Sequence, residues 1–264
     1  MSAPVSDAAG AASDAAGAAS DAAGTATDAA AAATGAAAST AGYVGAQRDG
    51  RAHGHGRETY ADGSFFEGTW TNGLRTGIGV LQRANGTRYD GQWTCDEQTG
   101  RGRISDRAGL MYTGDVVRGV PTGIGVFVDK NGNQYQGEVS HGSPHGLGRM
   151  QWSHGSEYCG AWSGGEMHGE GVYIFASGAM YAGSYLRGKK SGFGVLRDIG
   201  GEHRGRWHEN RRHGRGRATD ADGRVFYGQW KRGERHGRGG FLEKERLVDC
   251  AWWIHGTRET DLEA

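Results

Sequence analysis

Proline and cysteine are both scarce, with 3 of each in 264 residues. The thiols Cys95, Cys159 and Cys250 are odd in number and form no C-x-x-C pair, so neither a disulfide framework nor a zinc site is expected; reduced thiols in a cytoplasmic setting fit better. Long apolar runs are missing too. No stretch approaches the roughly 18 residues that a membrane-spanning helix needs. The opening MSAPVSDAAG has neither the basic segment nor the long-chain apolar core of a secretory leader, so a soluble, unsecreted protein is expected. Hydrophobic residues amount to 36%, too few for the packed core of an ordinary enzyme of this length. An excess of either charge is absent as well: 30 Lys and Arg balance 30 Asp and Glu, so the whole-chain total predicts neither a nucleic-acid binder nor an acidic solubiliser.

Glycine is what the chain has in abundance, 51 residues of it, and its distribution divides the sequence near residue 42. Before that point SDAAGAA-like heptads start at Ser6, Ser13, Ser20 and Thr27. A coiled-coil seam needs Leu, Ile or Val at its buried positions, and Ala, Gly, Ser and Asp supply none. Alanine favours helix while the Gly and the Ser-Asp pairs oppose it, so residues 1–42 read as a disordered arm or a frayed helix. Four Asp and no Arg exclude a mitochondrial presequence.

From residue 43 glycine falls on a grid. Anchors stand at Gly45, Gly68, Gly91, Gly114, Gly137, Gly160, Gly183, Gly205 and Gly228, a spacing of 23 residues with one step of 22. Two further glycines follow nine and eleven positions after every anchor, as in Gly100 with Gly102 and Gly169 with Gly171. A fifth-position Gly, replaced by Asp96 and Asn210, marks a turn, since all three residue types tolerate left-handed backbone. Aromatic residues flank the anchors at period two, as in Tyr89-x-Gly91-x-Trp93, Tyr158-x-Gly160-x-Trp162, Trp207 after Gly205 and Trp230 after Gly228. Such alternation is one face of a strand. The Gly-x-Gly that follows reads as a second strand, its bare backbone leaving room for the rings. Intervening positions such as Glu67, Arg103, Gln136 and Arg217 are mostly polar, which predicts one aromatic and one wet face.

The expected fold is therefore all-β: an elongated array of about nine to ten hairpin repeats forming a twisted antiparallel sheet over residues 43–257, on the order of 90 Å long, with a tail at 258–264. The rings are assigned to the core.

Other motifs dissolve into the grid. Gly183 to Lys190 nearly spells a phosphate-binding loop, but Lys190 stands where a hydroxyl must hold Mg²⁺ and no strand-to-helix pattern follows. Five histidines (His53, His145, His168, His213 and His236) precede the Gly-x-Gly pairs without acidic or thiol companions, so no metal is expected. No Ser, Cys or carboxylate constellation stands out. Hence no catalytic residue and no cofactor are assigned, and the chain reads as a non-enzyme.

YDGQW at Tyr89, YCGAWSGGEMHGEGVYIF from Tyr158 and FYGQWKRGERHGRGGF from Phe226 resemble the MORN (membrane occupation and recognition nexus) repeat, Tyr-x-Gly-x-Trp followed by a Gly turn and Gly-x-Gly. Departures are local: Val116 and Val139 stand for Trp, His203 for Tyr, and Ala251 for the anchor of the last repeat. The resemblance implies a non-catalytic assembly module. Members of the family occur in cytoskeletal, ciliary and flagellar structures, at membrane junctions and attached to lipid kinases, and they often self-associate; phosphoinositide binding has been proposed for some. Cytoskeletal or axonemal proteins, a homodimer and an anionic phospholipid surface are the partners it suggests, in the cytoplasm at a cytoskeleton or cilium or peripherally at a membrane; a regulatory subunit of a separate enzyme is a further reading.

Charge is segregated beneath the neutral total. Residues 1–42 hold no basic and 4 acidic residues, whereas 187–246 hold 17 basic against 8 acidic. Lys189, Lys190, Arg211, Arg212 and Arg235 fall six or seven positions after their anchors and are expected in hairpin loops along one edge, flanked by Arg187, Lys231 and Arg232, with Arg215 and Arg238 on the polar face. Such a ridge suits an acidic protein partner or an anionic lipid surface, or is merely solvated. Nucleic acid is not expected, because the rings are committed to the core.

Overall fold

The computed structural model describes residues 42–243 and 246–259. The expected arm at residues 1–42 lies, apart from Gly42, outside the described residues. All the assigned elements are β-strands. They fall into two compact units divided after Ser153. The N-terminal unit holds β1 (Tyr43–Arg48), β2 (Arg51–Thr59), β3 (Phe65–Thr71), β4 (Leu74–Gln82), β5 (Arg88–Thr94), β6 (Glu97–Ser105), β7 (Met111–Val117), β8 (Val120–Val128), β9 (Gln134–Ser140) and β10 (Ser143–Gln151). The C-terminal unit holds β11 (Glu157–Ser163), β12 (Glu166–Ile174), β13 (Met180–Leu186), β14 (Lys189–Asp198), β15 (Gly201–His208), β16 (Arg211–Asp220), β17 (Val225–Lys231), β18 (Glu234–Glu243), β19 (Arg246–Ile254) and β20 (Thr257–Glu259). β20 takes in the start of the segment expected as a tail.

Within each unit every strand pairs antiparallel with the next in sequence. The expected hairpins are thus present, closed by two-residue turns. In Arg187-Gly188 both residues have positive φ, 49° and 72°, and Glu209-Asn210 repeats this at 46° and 65°. That is the turn whose twist matches the strands it joins.

The two glycines of Gly-x-Gly serve different purposes, although both are expected to make room for rings. Only the second lies beneath a ring: a Cβ on Gly102 would run into the Tyr89 ring, and one on Gly171 into that of Tyr158. The first occupies left-handed backbone, 77° at Gly100, where the register between β5 and β6 slips. It is a bulge residue, and the bulge tightens the twist.

Rings then pack edge to face along the inner face of each unit. In the C-terminal unit Tyr181 meets Tyr185 and Trp207 at 5.2 and 5.3 Å, His203 meets Trp207 and Trp230 at 5.3 and 5.0 Å, and Phe226 meets Trp230 and Trp253 at 5.6 and 5.3 Å. Each such pair contributes about 0.5–1.5 kcal/mol beyond the area it buries. Indole N–H groups lock one repeat to the one before: Trp93 donates to Gly79 O at 3.0 Å, and Trp207 to Gly194 O at 3.2 Å. Tyr89, Trp93, Tyr158, Trp162, Trp207 and Trp230 are all buried, as the core assignment requires. At the last repeat Trp253 is buried while Trp252 is exposed, so only one of the two closes the inner face.

The outer face is less polar than the alternation suggests. Ile78, Ile124 and Leu147 in the N-terminal unit, and Phe193 and Tyr227 in the C-terminal one, are exposed. Ile78, Ile124, Leu147 and Phe193 each sit between the two glycines of a repeat, pointing away from the rings.

Candidate functional site

The basic residues of the C-terminal unit do not form the single loop ridge expected of them. The turns are only two residues long, so Arg187 and Arg232 alone occupy them. Lys189 and Arg211 are the first residues of the returning strands β14 and β16, and Lys231 ends β17; these five are exposed along one edge. Arg215 and Arg238 stand between the glycines of β16 and β18 and are exposed on the outer face. Lys190, Arg212 and Arg235 are the second residues of β14, β16 and β18, and strand alternation turns them inward onto the rings.

On the outer face, Phe193 is directly opposite Arg206, and Tyr227 directly opposite Arg217. Arg204, opposite Arg217, reaches Glu202 at 3.6 Å, and Arg197 reaches the same carboxylate at 2.7 Å. The arginines hold Glu202 below the ordinary carboxylate range, chiefly through the Arg197 bond. Sequence reasoning missed the exposed Phe193 and Tyr227 because it sent every ring inward. Their parity was the available signal, each being one position out of step with an inward residue.

The inward cations pack against aromatic faces. Lys190, only 2% exposed, has Nζ 5.1 Å from the Phe175 ring centre, 5.3 Å from Tyr181 and 5.2 Å from Trp207. Arg212 stacks over Trp230 at 4.1 Å, and Arg235 lies 4.6 Å from Phe226 and 5.0 Å from Trp253. Burial pushes Lys190 down to about 8 and Arg212 down to about 10, the charge of Arg235 adding to the latter shift; burial lowers Arg235 as well. Beside them His203, 4% exposed, fills a tyrosine slot. Burial, with the Arg212 charge, holds it down to about 3. Neither of its ring nitrogens has a hydrogen-bond partner, whereas the tyrosine hydroxyls in this slot reach a backbone carbonyl three residues on, as Tyr181 does at Ser184 O.

Arg75 occupies the equivalent slot on β4 of the N-terminal unit, stacked on Trp93 at 4.6 Å. There the next repeat supplies Asp96, whose Oδ1 accepts from both the Arg75 backbone N–H (2.9 Å) and Nε (2.8 Å). Asn210 takes the same turn position after Lys190 and accepts its backbone N–H at 2.8 Å, but brings no charge. Gly233 and Gly256 follow Arg212 and Arg235, donating their N–H groups to those residues' carbonyls at 2.9 and 3.0 Å. Among the described residues no ion pair joins Lys190, Arg212 or Arg235 to a carboxylate. Asp198 and Asp220 act on them only at longer range, and their Oδ1 atoms cap the backbone N–H groups of Gly200 and Arg224.

No curated protein matches the chain by sequence. Among solved structures it is similar to the G-box domain of the microcephaly protein CPAP, at 11% identity over 67% of this chain and 99% of that one, TM-score 0.35. It is also similar to the TCP domain of Drosophila melanogaster SAS-4 in complex with a proline-rich motif of Ana2, at 11% identity over 75% and 96%, TM-score 0.34. A third likeness is the TCP10 domain of Danio rerio CPAP in complex with a STIL peptide, at 12% identity over 80% and 99%, TM-score 0.31. The MORN repeat matches at residues 43–65, 66–88, 89–111, 112–134, 135–157, 158–180, 181–201, 203–223 and 226–242. With successive matches running from residue 43 to residue 242, on hairpins whose rings, bulges and turns follow the repeat, the chain belongs to the MORN-repeat family.

Proposed function

We propose that this chain is a non-enzymatic repeat scaffold that binds protein partners in a cytoskeletal, ciliary or flagellar structure of the cytoplasm. One observation carries the reading: the recurring residues of each repeat are consumed by ring packing, bulges and turns, and the outward-facing residues, which vary between repeats, are left exposed. In the C-terminal unit these are Arg206, Arg215, Arg217 and Arg238 beside Phe193, Tyr227 and Trp252. Arginine and aromatic residues together are the composition of binding hot spots. The cytoskeletal setting is taken from the family resemblance. Fractionation of cells with nonionic detergent tests it: recovery of the tagged full chain in the insoluble pellet is expected, and complete release into the soluble fraction overturns it.

An anionic membrane surface is the second reading, favoured by the exposed edge of Arg187, Lys189, Arg211, Lys231 and Arg232. Each Lys or Arg near such a surface contributes about 1 kcal/mol. Arg211→Glu with Arg232→Glu changes two edge charges without touching the rings. Under this reading the double variant loses salt-sensitive flotation with phosphatidylserine vesicles, and unchanged flotation removes it. A second copy of the chain is a further proposed partner, and a strictly monomeric mass by light scattering excludes it.

A further inference from the structure

The inward cations of the C-terminal unit are an unfinished version of an arrangement that the N-terminal unit completes. Arg75 and Asp96 show that this slot, between a ring face and the turn of the next repeat, accepts a carboxylate at hydrogen-bond distance from both side chain and backbone. Lys190, Arg212 and Arg235 have the ring faces and lack the acid. Uncompensated buried charge is costly, and an anion that restores the pair is correspondingly favoured.

We propose that the column of Lys190, Arg212 and Arg235 receives an extended acidic segment of a protein partner, whose carboxylates stand beside Arg212 and Arg235 as Asp96 stands beside Arg75, while the buried Lys190, whose turn position Asn210 fills, contributes through its charge. The proposal deepens the scaffold reading and rests on it for the nature of the partner. Geometry selects the segment. The three cations lie on alternate strands, roughly 10 Å apart, and an extended chain in the polyproline-II conformation rises about 3.1 Å per residue with three residues per turn, so an acidic residue at every third position stays on one side and keeps step with the column. Guanidinium forks take carboxylates in two parallel bonds, so Arg212 and Arg235, both half-buried and open to solvent, make the first contacts. Lys190 lies deepest and adds its charge at the end of the row. A membrane surface does not suit this column, because it would meet the outward edge of Arg187, Lys189, Arg211 and Arg232 instead.

The test is fluorescence anisotropy of the full chain with a labelled, blocked peptide of Glu-Gly-Ser repeats, against an isomer with its glutamates contiguous. The spaced peptide is expected to bind about tenfold more tightly than the isomer, and Arg212→Gln to lose about tenfold. Asn210→Asp is the sharper variant, since it supplies from within the chain the carboxylate that Asp96 provides in the other unit; it is expected to keep the fold and weaken the peptide by a similar factor. Equal binding of the two peptides, no response to either substitution, or displacement by inorganic phosphate at equal concentration overturns the proposal. Recruitment to phosphatidylserine vesicles that vanishes with Arg212→Gln reassigns the column to lipid and also overturns it. Absence of peptide binding by a chain that still pellets with the detergent-insoluble fraction sinks this inference and leaves the scaffold reading. Peptide binding by a wholly detergent-soluble chain does the reverse.

Discussion

The N-terminal and C-terminal units are built from one repeat, yet they treat the second residue of the returning strand differently. In the N-terminal unit that slot holds Ala52, Arg75, Gln98, Pro121 and Pro144: one cation with its own Asp96 among neutral side chains. In the C-terminal unit it holds Met167, then Lys190, Arg212 and Arg235 in succession with no carboxylate paired to them, and last the exposed Arg258, which reaches Asp249 at 2.6 Å. Since ring packing, bulges and turns are common to both, the difference is one of electrostatics laid over a shared scaffold. Stability is invested in the first unit, and positive potential is held in the second.

What the units share should break both alike. Gly102→Val and Gly171→Val each place a side chain inside a tyrosine ring, and each is expected to cost about 3 kcal/mol in chemical denaturation of the full chain. A much smaller loss at either site removes the close-approach account of the second glycine. The next largest effects separate the units. Asp96→Ala strands the Arg75 guanidinium and uncaps its backbone N–H, at an expected cost of about 2 kcal/mol.

His203 sharpens the comparison through pH. Its folded value is pushed from 6.5 to about 3, so the unfolded chain takes up a proton that the folded one refuses. Stability is then complete above pH 6.5 and falls as the pH drops toward 3, by about 2 kcal/mol at pH 5. His203→Tyr restores the hydroxyl partner used elsewhere and should abolish that loss. An unchanged pH profile in the variant contradicts the buried, neutral ring. Arg235→Gln is the smallest effect, within about 0.5 kcal/mol, because removing an uncompensated charge offsets the lost stacking on Trp253.

Most of the fold was legible because hairpin repeats write themselves at period two with glycine punctuation. The turn positions at Asp96 and Asn210, the ring core and the strand pairing all follow from spacing and parity. Two features were not. The separate duties of Gly100 and Gly102 depend on backbone φ, which composition does not encode. The split of the basic residues among edge, outer face and ring face depends on where a two-residue turn hands over to a strand, so that Lys189 points out and Lys190 in. A shift of one residue sends a charge to the opposite side of a sheet. For the same reason Phe193 and Tyr227 escaped notice, their outward parity masked by the expectation that rings belong to the core.

The most direct measurement exchanges the two turn residues and follows unfolding of the full chain at low salt. Asp96→Asn is predicted to destabilise, and Asn210→Asp to stabilise, each by about 1 kcal/mol, with both effects shrinking as salt is added. Changes of the same sign, or a destabilising Asn210→Asp, would contradict the claim that the C-terminal unit holds a column of cations awaiting an acid.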